Sequence, residues 1–453
     1  MNHGCEPNVL IDTGLREMVA TRDILAGEEL TFNYNSTEWS MVSSFACECG
    51  APMCAGEVRG FKYLDAKHAE ALRPFISPYI ARRWAAAASR DEAGAAIDLR
   101  SLAPEVQVLV PYARDKHGQL TSPLYDTPEY RAELYGWFAP LGLKHKWMPV
   151  ALDIVQEVVD NLQRRSRETT IVILNLCDGT ENDLLPGKTV VRALEAAGLP
   201  FSGASETFYV TTTSKLATKH LLAASGVPHP ASVEIEDPEV DLLRAAEEID
   251  FPFIVKPDVS AGSFGIHIDS VCDDLEAARK AVARLREHPE LGKGAVFVEP
   301  FVDGREFTCF LMEDEAAPLG LWTLPPVERV FDKRLPDRER FLAYERYWGL
   351  PEESRSIPEG DAYYRYALVS DNLQAEITRT ARRAMRAVEG CSYARVDMRQ
   401  DSRTGELLVL EVNSQCGLSC SDEATVGSIL QLAGLNMSRL IERILVHALR
   451  RGQ

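Results

Sequence analysis

The chain has 453 residues, 45% hydrophobic and 26% charged, the composition of a globular protein too long for one ordinary domain. Sixty-eight acidic residues against 49 lysines and arginines give a net charge of -19, which argues against nucleic acid and anionic membranes as partners and leaves small molecules or basic peptides. No apolar stretch approaches the roughly 20 residues that span a bilayer, and no basic segment followed by an apolar one opens the chain, so a cytoplasmic location is expected, with a nuclear one as the alternative.

Residues 1–63 carry short strand-like pieces, Met18 to Ala20 and Glu29 to Asn35, then a cysteine cluster. Residues 64–104 turn Ala- and Arg-rich at helical spacing, punctuated by Pro74, Pro78 and Pro104, and read as a helical linker. From Val106 strands alternate with amphipathic helices: strand Val106 to Val110, helix Asp153 to Arg164, strand Thr170 to Asn175, helix Val190 to Ala197. That alternation predicts an open α/β layer over 105–210. A helix from Lys215 to Ser225 follows, then strands Phe253 to Pro257 and Ile266 to Val271, helix Leu275 to Glu287 and strand Ala295 to Val302. Strand Glu306 to Met312, helix Gln374 to Val388, strands around Arg395 and Leu408, and helix Met437 to Leu449 complete the chain. The boundaries expected beyond the α/β layer are 211–298 and 299–453.

Chemistry concentrates in three places. Lys256 ends an apolar strand and precedes Ser260-Ala-Gly-Ser-Phe-Gly265, a small-residue loop whose amides, at Gly262 and Ser263, can approach phosphate oxygens. Such a loop is also an ordinary hairpin turn. In Val298-Glu-Pro-Phe-Val-Asp-Gly-Arg-Glu306, two carboxylates flank a turn; one can accept from an adenine amine and one from ribose hydroxyls, while backbone groups near Phe301 and Val302 read the adenine edge. A solvated acidic hairpin is the competing reading. Arg395-Val-Asp397 and Leu408-Val-Leu-Glu-Val-Asn413 place Asp397, Glu411 and Asn413 at alternating strand positions, hard oxygen ligands suited to magnesium. Arg395 beside them can stabilise charge on a transferring phosphoryl group, or form a buried salt bridge with Glu411.

From Pro104 onward the sequence resembles the D-alanine:D-alanine ligase-like ATP-grasp enzymes. The resemblance runs in order through Cys177-Asp-Gly179, Leu199-Pro-Phe-Ser-Gly203, Lys215 with Lys219, Ser225-Gly-Val-Pro-His-Pro230, Lys256-Pro257, Glu299 to Glu306, Arg395-Val-Asp397 and Glu411-Val-Asn-Ser414 with Gly417. It implies an α/β protein with an ATP-grasp fold, in which an α/β layer precedes two α+β subdomains enclosing ATP. The implied reaction is amide formation through an acyl phosphate, with release of ADP. By the same resemblance Lys215 and Lys256 bind ATP phosphates, Glu299 and Glu306 hold adenine and ribose, Asp397, Glu411 and Asn413 hold two magnesium ions, and Arg395 is the catalytic arginine. Lys333 is a further phosphate or substrate contact or else a surface lysine, and Asp332 to Tyr366 resembles a lid. A homodimer is a family expectation. The sequence departs from the family after Ser414. Relatives usually continue with a Ser or Thr, Pro, Gly and Met, then a His-Ser pair whose serine holds the second substrate's carboxylate. Here Gln415-Cys-Gly-Leu-Ser-Cys-Ser-Asp422 puts Ser421 in place of the histidine and Asp422 in place of the serine. An ionised Asp repels a carboxylate and favours a cation. The expected acceptor is therefore not plain D-alanine but an amine with a cationic or hydroxylated group, held near Gly417, Ser421 and Asp422. A one-residue shift that leaves Ser419 or Ser421 on an ordinary carboxylate is the alternative.

The first 63 residues are similar to the C-terminal half of a SET-domain methyltransferase with its post-SET tail, through Asn2-His-Gly-Cys-Glu-Pro-Asn8, Arg22 to Asn35, and Cys47-Glu-Cys-Gly-Ala-Pro-Met-Cys54. Cys47, Cys49 and Cys54 supply three thiolates for a tetrahedral zinc, and the resemblance offers Cys5 as the fourth. It also places Asn2 and His3 at S-adenosylmethionine and Tyr34 at a methyl-transfer channel. The upstream half of that fold, with its cofactor glycine motif, is absent, so S-adenosylmethionine binding is not expected of this chain alone. A lysine methyltransferase, or a nucleotide-binding scaffold without turnover, are the readings that compete with the ligase.

Overall fold

The structure is a computed structural model describing residues 2–13, 17–41, 44–77, 79–81, 83–84, 97–314, 317, 320–345, 362–421 and 424–452. It divides into two units, Met1–Ile97 with Glu315–Gly320, and Asp98–Asp314 with Leu321–Gln453. Among the described residues no helix is long and apolar enough to cross a membrane.

In the first unit short strands pair in twos: Asn2–His3 parallel to Thr31–Phe32, Val9–Asp12 antiparallel to Glu17–Ala20, and Phe45–Ala46 antiparallel to Glu57–Val58. The run from Glu29 to Asn35, expected as one strand, pairs only at Thr31–Phe32. Asn33 then accepts from the Asn35 amide and starts a 3-10 turn, Tyr34–Ser36, because an Asn side chain that bonds its own downstream backbone competes with the strand ladder. Phe61, Ala69, Leu72 and Ile80 form a small core with Trp39 and Trp84 against it. The expected linker contains the helices Ala66–Leu72 and Leu99–Leu102, and its middle lies outside the described residues.

Among the described residues the second unit holds three larger sheets and a two-stranded ribbon, Ala113–Arg114 antiparallel to Leu120–Thr121. Glu105–Pro111 is buried from Val106 onward and sits centrally between His145–Val150 and Ile171–Asn175, all parallel. An apolar run suits a strand covered on both faces. Val155–Ser166 and Lys188–Ala196 are strongly amphipathic helices that pack with this layer. A four-stranded antiparallel sheet follows in the order Val233–Glu234, Val296–Pro300, Phe253–Pro257, Val271–Cys272. The strand expected from Ile266 to Val271 is instead a 3-10 turn, Ile268–Ser270, followed by that two-residue strand. His267 and Ser270 cap one another there, which removes their backbone groups from the sheet.

The third sheet orders Tyr364–Leu368, Val327–Phe331, Gly304–Glu313, Tyr393–Asp401 and Leu407–Asn413, with Leu321–Thr323 also paired to Gly304–Glu313. Helix Asp371–Ala387 covers it through Ile377, Ala381, Ala384 and Met385, which recur at i, i+4, i+7 and i+8 on one helix face. Ile377→Ala would cost roughly 2–5 kcal/mol by leaving a cavity there.

Candidate functional site

Tyr393–Asp401 and Leu407–Asn413 are antiparallel, with Arg395 opposite Asn413 and Asp397 opposite Glu411, so the four side chains share one face. The register slips between Asp397 and Met398 and leaves Leu410 unpaired, a bulge of the kind that re-aims side chains beside functional sites. Asn413 Nδ2 donates to Asp397 at 3.0 Å and to Glu411 at 3.2 Å; Arg395 donates to Asp397 from Nε and Nη2 at 3.0 and 2.8 Å and lies 3.9 Å from Glu411. Thr308 Oγ1 donates to Asp397 Oδ1 at 2.5 Å. Burial works against ionising Asp397, but Arg395 and Arg329 outweigh it and hold the carboxyl below its ordinary range. Two carboxylates and an amide on one strand face are a donor set that fits magnesium.

The helix Lys215–Ala224 brings a lysine to this face. Ser214 caps it, and Asp258, just beyond Lys256-Pro257, accepts from the Ser214 hydroxyl and the Leu216 amide, at 2.9 and 2.8 Å, so the two lysine-bearing segments are pinned together. Lys215 Nζ donates to the carbonyl and hydroxyl of Ser260 at 2.9 and 3.1 Å. Burial lowers its pKa, while Glu411 acts in the opposite sense, which places this ammonium near the acidic face. Lys256 donates to Glu299 Oε1 at 2.5 Å, and the buried Lys219 lies 2.7 Å from Oε2.

The other expected residues are arranged as follows. Gly262 and Ser263 have φ of +57° and +61°, and Ser263 ties the loop to the Leu342 carbonyl at 2.7 Å. Phe301 donates its amide to Pro252, and the Val302 carbonyl accepts from Arg399, so two of the four backbone groups expected to read adenine are engaged. Glu306, expected at the start of a strand after the turn, lies in Gly304–Glu313 and is buried, unlike a solvated hairpin carboxylate; it accepts from Arg329 and lies 3.2 Å from Arg399 Nε. Lys333 is exposed, and its carbonyl accepts from Arg340. Of the expected lid, 346–361 lies outside the described residues. Its near end packs on the glycine loop through Tyr344 and through Glu345, 2.6 Å from His267 Nδ1.

Beyond Asn413 the chain runs onto the carboxyl ends of the parallel sheet. Gln415 donates to the Asn175 carbonyl at 2.6 Å, Tyr130 to the Leu418 carbonyl at 2.9 Å, and Glu133 accepts from the Ser419 hydroxyl at 2.9 Å and from the Cys420 amide. Gly203, at φ +94°, makes room for this: a Cβ there would sit 2.2 Å from Gln415 Oε1. Gly417 has open space where its side chain would be, Ser421 donates its amide to Ser419, and Asp422 lies outside the described residues.

In the first unit the ligand atoms of Cys5, Cys47, Cys49 and Cys54 all lie within 4.8 Å of one another, and all four thiols are free. Cys5 and Cys47 sulfurs are 3.8 Å apart, about the edge of a tetrahedron with Zn–S bonds of about 2.3 Å. His3 Nδ1 accepts from the Tyr34 amide and Nε2 lies 3.3 Å from Cys5 Sγ. Asn2, His3, Tyr34 and Phe45 line a pocket of about 440 Å³ beside the cluster.

Residues 221–446 match the family described as D-ala D-ala ligase C-terminus, and 1–35 match the SET domain. The D-alanine--D-alanine ligase of Chromohalobacter salexigens is 30% identical over 253 residues, 56% of this chain and 70% of that one. That of Pseudomonas putida (strain GB-1) is 27% identical over 299 residues, 66% of this chain and 82% of that one. The chain belongs to the D-alanine:D-alanine ligase family. Its fold is shared with the Bacillus anthracis D-alanine--D-alanine ligase complexed with ATP, at TM-score 0.51 and 17% identity over 77% of this chain and 99% of that one. The VanG D-Ala:D-Ser ligase of Enterococcus faecalis matches at TM-score 0.51 and 16% identity over the same shares.

It is thus an ATP-grasp, ADP-forming ligase that makes an amide bond, and its family uses ATP and magnesium on small-molecule substrates. The sequence reading missed Lys219 as a charge partner, Arg329, Arg399, Asp258 and Glu133. Arg399 had a signal, since Arg395, Asp397 and Arg399 recur every second residue along one strand.

Proposed function

We propose that this ligase binds ATP with Lys215, Lys256 and the Gly262–Ser263 loop on its phosphates and the turn Glu299–Glu306 toward the nucleoside, while Asp397, Glu411 and Asn413 hold two magnesium ions. An oxygen of the acid substrate attacks the γ-phosphorus and ADP leaves; the acceptor amine then attacks the acyl carbon, loses a proton and expels phosphate. Arg395 faces the charge that develops on the transferred group. The observation that carries this reading is the convergence of Arg395, Asp397, Glu411 and Asn413 on one strand face electrostatically coupled to Lys215. Incubation with ATP, magnesium and candidate acids should release ADP and phosphate rather than AMP, and hydroxylamine should intercept the acyl group as a hydroxamate. AMP release, or acid-independent ADP release alone, would defeat it.

The acceptor in this reading is an amine bearing a cationic or hydroxylated group rather than plain D-alanine. Glu133 supports it, because the Ser419 hydroxyl and Cys420 amide are already spent on a carboxylate. The cysteines of the first unit would hold one structural zinc; the mutual approach of four free thiols supports that assignment.

A further inference from the structure

Tyr364–Leu368 is an edge strand of the sheet that carries Arg395 and Asp397, and it pairs with Val327–Phe331 so that Tyr366 stands opposite Arg329. Directly opposed residues share a face, and the guanidinium of Arg329 lies 5.4 Å from the Tyr366 ring and 5.1 Å from that of Tyr364. Arg329 is buried and donates to Glu306, while its Nη2 donates to the Tyr366 hydroxyl at 2.9 Å. Burial works against its charge, but Glu306, foremost among its neighbours, raises its pKa above the ordinary arginine value. A guanidinium held by a carboxylate and flanked by two rings is a fixed point from which the phenol is aimed.

The Tyr366 hydroxyl also meets Thr425 Oγ1 at 2.8 Å. Thr425 opens the helix Thr425–Leu432, and Ala424 before it has no side-chain oxygen with which to cap that helix. The start of the helix is thus secured from outside, by the tyrosine. On its other side this first turn carries the loop that follows Leu418. Ala424 donates its amide to the Ser421 carbonyl at 2.9 Å. At Gly427 a Cβ would sit 2.6 Å from the Ser419 carbonyl oxygen and 2.7 Å from that of Ser421, so the loop rests directly on the helix backbone. A continuous line of contacts therefore runs from Glu306 through Arg329, Tyr366 and Thr425 to Ser419–Ser421.

We infer that Tyr366 is a positioning residue for the second half-reaction: its hydroxyl, set by Arg329, holds Thr425 and with it the loop Ser419–Ser421 in register with the sheet that bears Arg395. The inference rests on the reading that this loop receives the acceptor, and it names what fixes the loop. A phenol suits the task because its one oxygen accepts from a guanidinium and still bonds a second hydroxyl. Phenylalanine at 366 would keep a ring on Arg329 and remove the bridge alone. The helix start and the loop would then gain freedom that acceptor binding must take away again, so acceptor affinity falls while activation of the acid, carried by other residues, continues.

Two assays on the full chain separate the half-reactions. Hydroxylamine trapping, with small carboxylic acids from acetate to the common amino acids as probes, reports activation of the acid. Amide formation between the best of these acids and serine, lysine or alanine in either configuration reports use of the acceptor. Tyr366→Phe should raise KM for the best acceptor by about 3- to 10-fold, the worth of one hydrogen bond, and leave hydroxamate formation and KM for ATP unchanged. Thr425→Val should match it, Thr425→Ser should keep the wild-type KM, and the double variant Tyr366→Phe, Thr425→Val should be no worse than either single one, since both break the same link. A wild-type acceptor KM in Tyr366→Phe, or an equal loss in both assays, overturns the inference. Should Tyr366→Phe not fold, Thr425→Val and Thr425→Ser decide by the same readouts. Glu133→Ala and Ser419→Ala touch the loop itself: acceptor KM altered by these but not by Tyr366→Phe removes this inference alone, whereas acceptor KM and preference unmoved by all of them remove the acceptor reading beneath it. Absence of hydroxamate from every acid removes the ligase reading and this inference together.

Discussion

The Lys219 ammonium lies 2.7 Å from Glu299 Oε2, with both side chains only 2% exposed. Burial drives the Lys219 pKa down and the pull of Glu299 opposes it. At Glu299 burial opposes ionisation, but Lys219 and Lys256 prevail and lower the carboxyl's pKa. Lys219→Met should leave Glu299 with Lys256 alone. Removing one member of a buried ion pair costs roughly 3–5 kcal/mol, to be read in the denaturation midpoint. The remaining lysine is then held on Glu299 rather than on phosphate, so KM for ATP should rise more than kcat falls. An unaltered midpoint would show that the pair contributes nothing.

Glu411 has a side chain 37% exposed, so Glu411→Gln should fold normally. Its carboxylate is the least committed of the acidic pair, since Asp397 is already bound by Arg395 and Thr308. The variant should lose about 10- to 100-fold in turnover, partly restored by raised magnesium. A magnesium titration that superimposes on the wild type would take Glu411 out of the metal site.

Purified protein should carry one zinc bound by Cys5, Cys47, Cys49 and Cys54. Cys49→Ser should lose it, and a chelator should destabilise the first unit while ADP release continues, because the cluster and the residues proposed for phosphoryl transfer belong to different units. Metal analysis of protein prepared without chelators decides the first point.

Asp178 brings a pH dependence of stability. Burial, aided by Asp183, raises its carboxyl to about 6 despite the Tyr125 hydrogen bond. Below the unfolded-state value, near 4, both states are protonated and no penalty exists; as pH climbs from there through 6 the folded state is progressively disfavoured. Asp178→Asn should therefore be more stable than the wild type at neutral pH, by up to roughly 3 kcal/mol, with the advantage gone by about pH 4. Parallel melting curves across that window check the sign.

Glu133→Ala should free the Ser419 hydroxyl and the Cys420 amide to meet a carboxylate. Relative kcat/KM should move toward acceptors that carry one, D-alanine among them. Acceptor competition assays on both proteins measure this, and an unchanged order would separate Glu133 from acceptor choice.

Long amphipathic helices and apolar strands were readable because one periodicity and one burial pattern coincide, as in Leu275–Glu287 and Phe253–Pro257. The edge strand His145–Val150 was not, since it mixes His, Lys and Pro149 into a run that only one neighbour pairs. At the site, Asp397, Glu411 and Asn413 were legible as alternating residues, whereas the bulge at Leu410 leaves no trace in periodicity. The strand position of Glu306 was legible, but its two arginine partners were not, because Arg329 and Arg399 come from strands distant in sequence. Asp178 was visible only as part of a motif; its burial needs the surrounding side chains to be noticed.

The fit of Gln415 against Gly203 bears on how this enzyme can be recombined. The amide side chain occupies the volume a Cβ would take and bonds Asn175 and Ala204 on either side, so the α/β layer and the loop after Leu407–Asn413 are keyed to one another. A chimera that imports this layer from a relative with any larger residue at position 203 must import a shorter residue at 415 as well. Crossovers that part the two positions should yield insoluble protein, while those that keep them together preserve the seam.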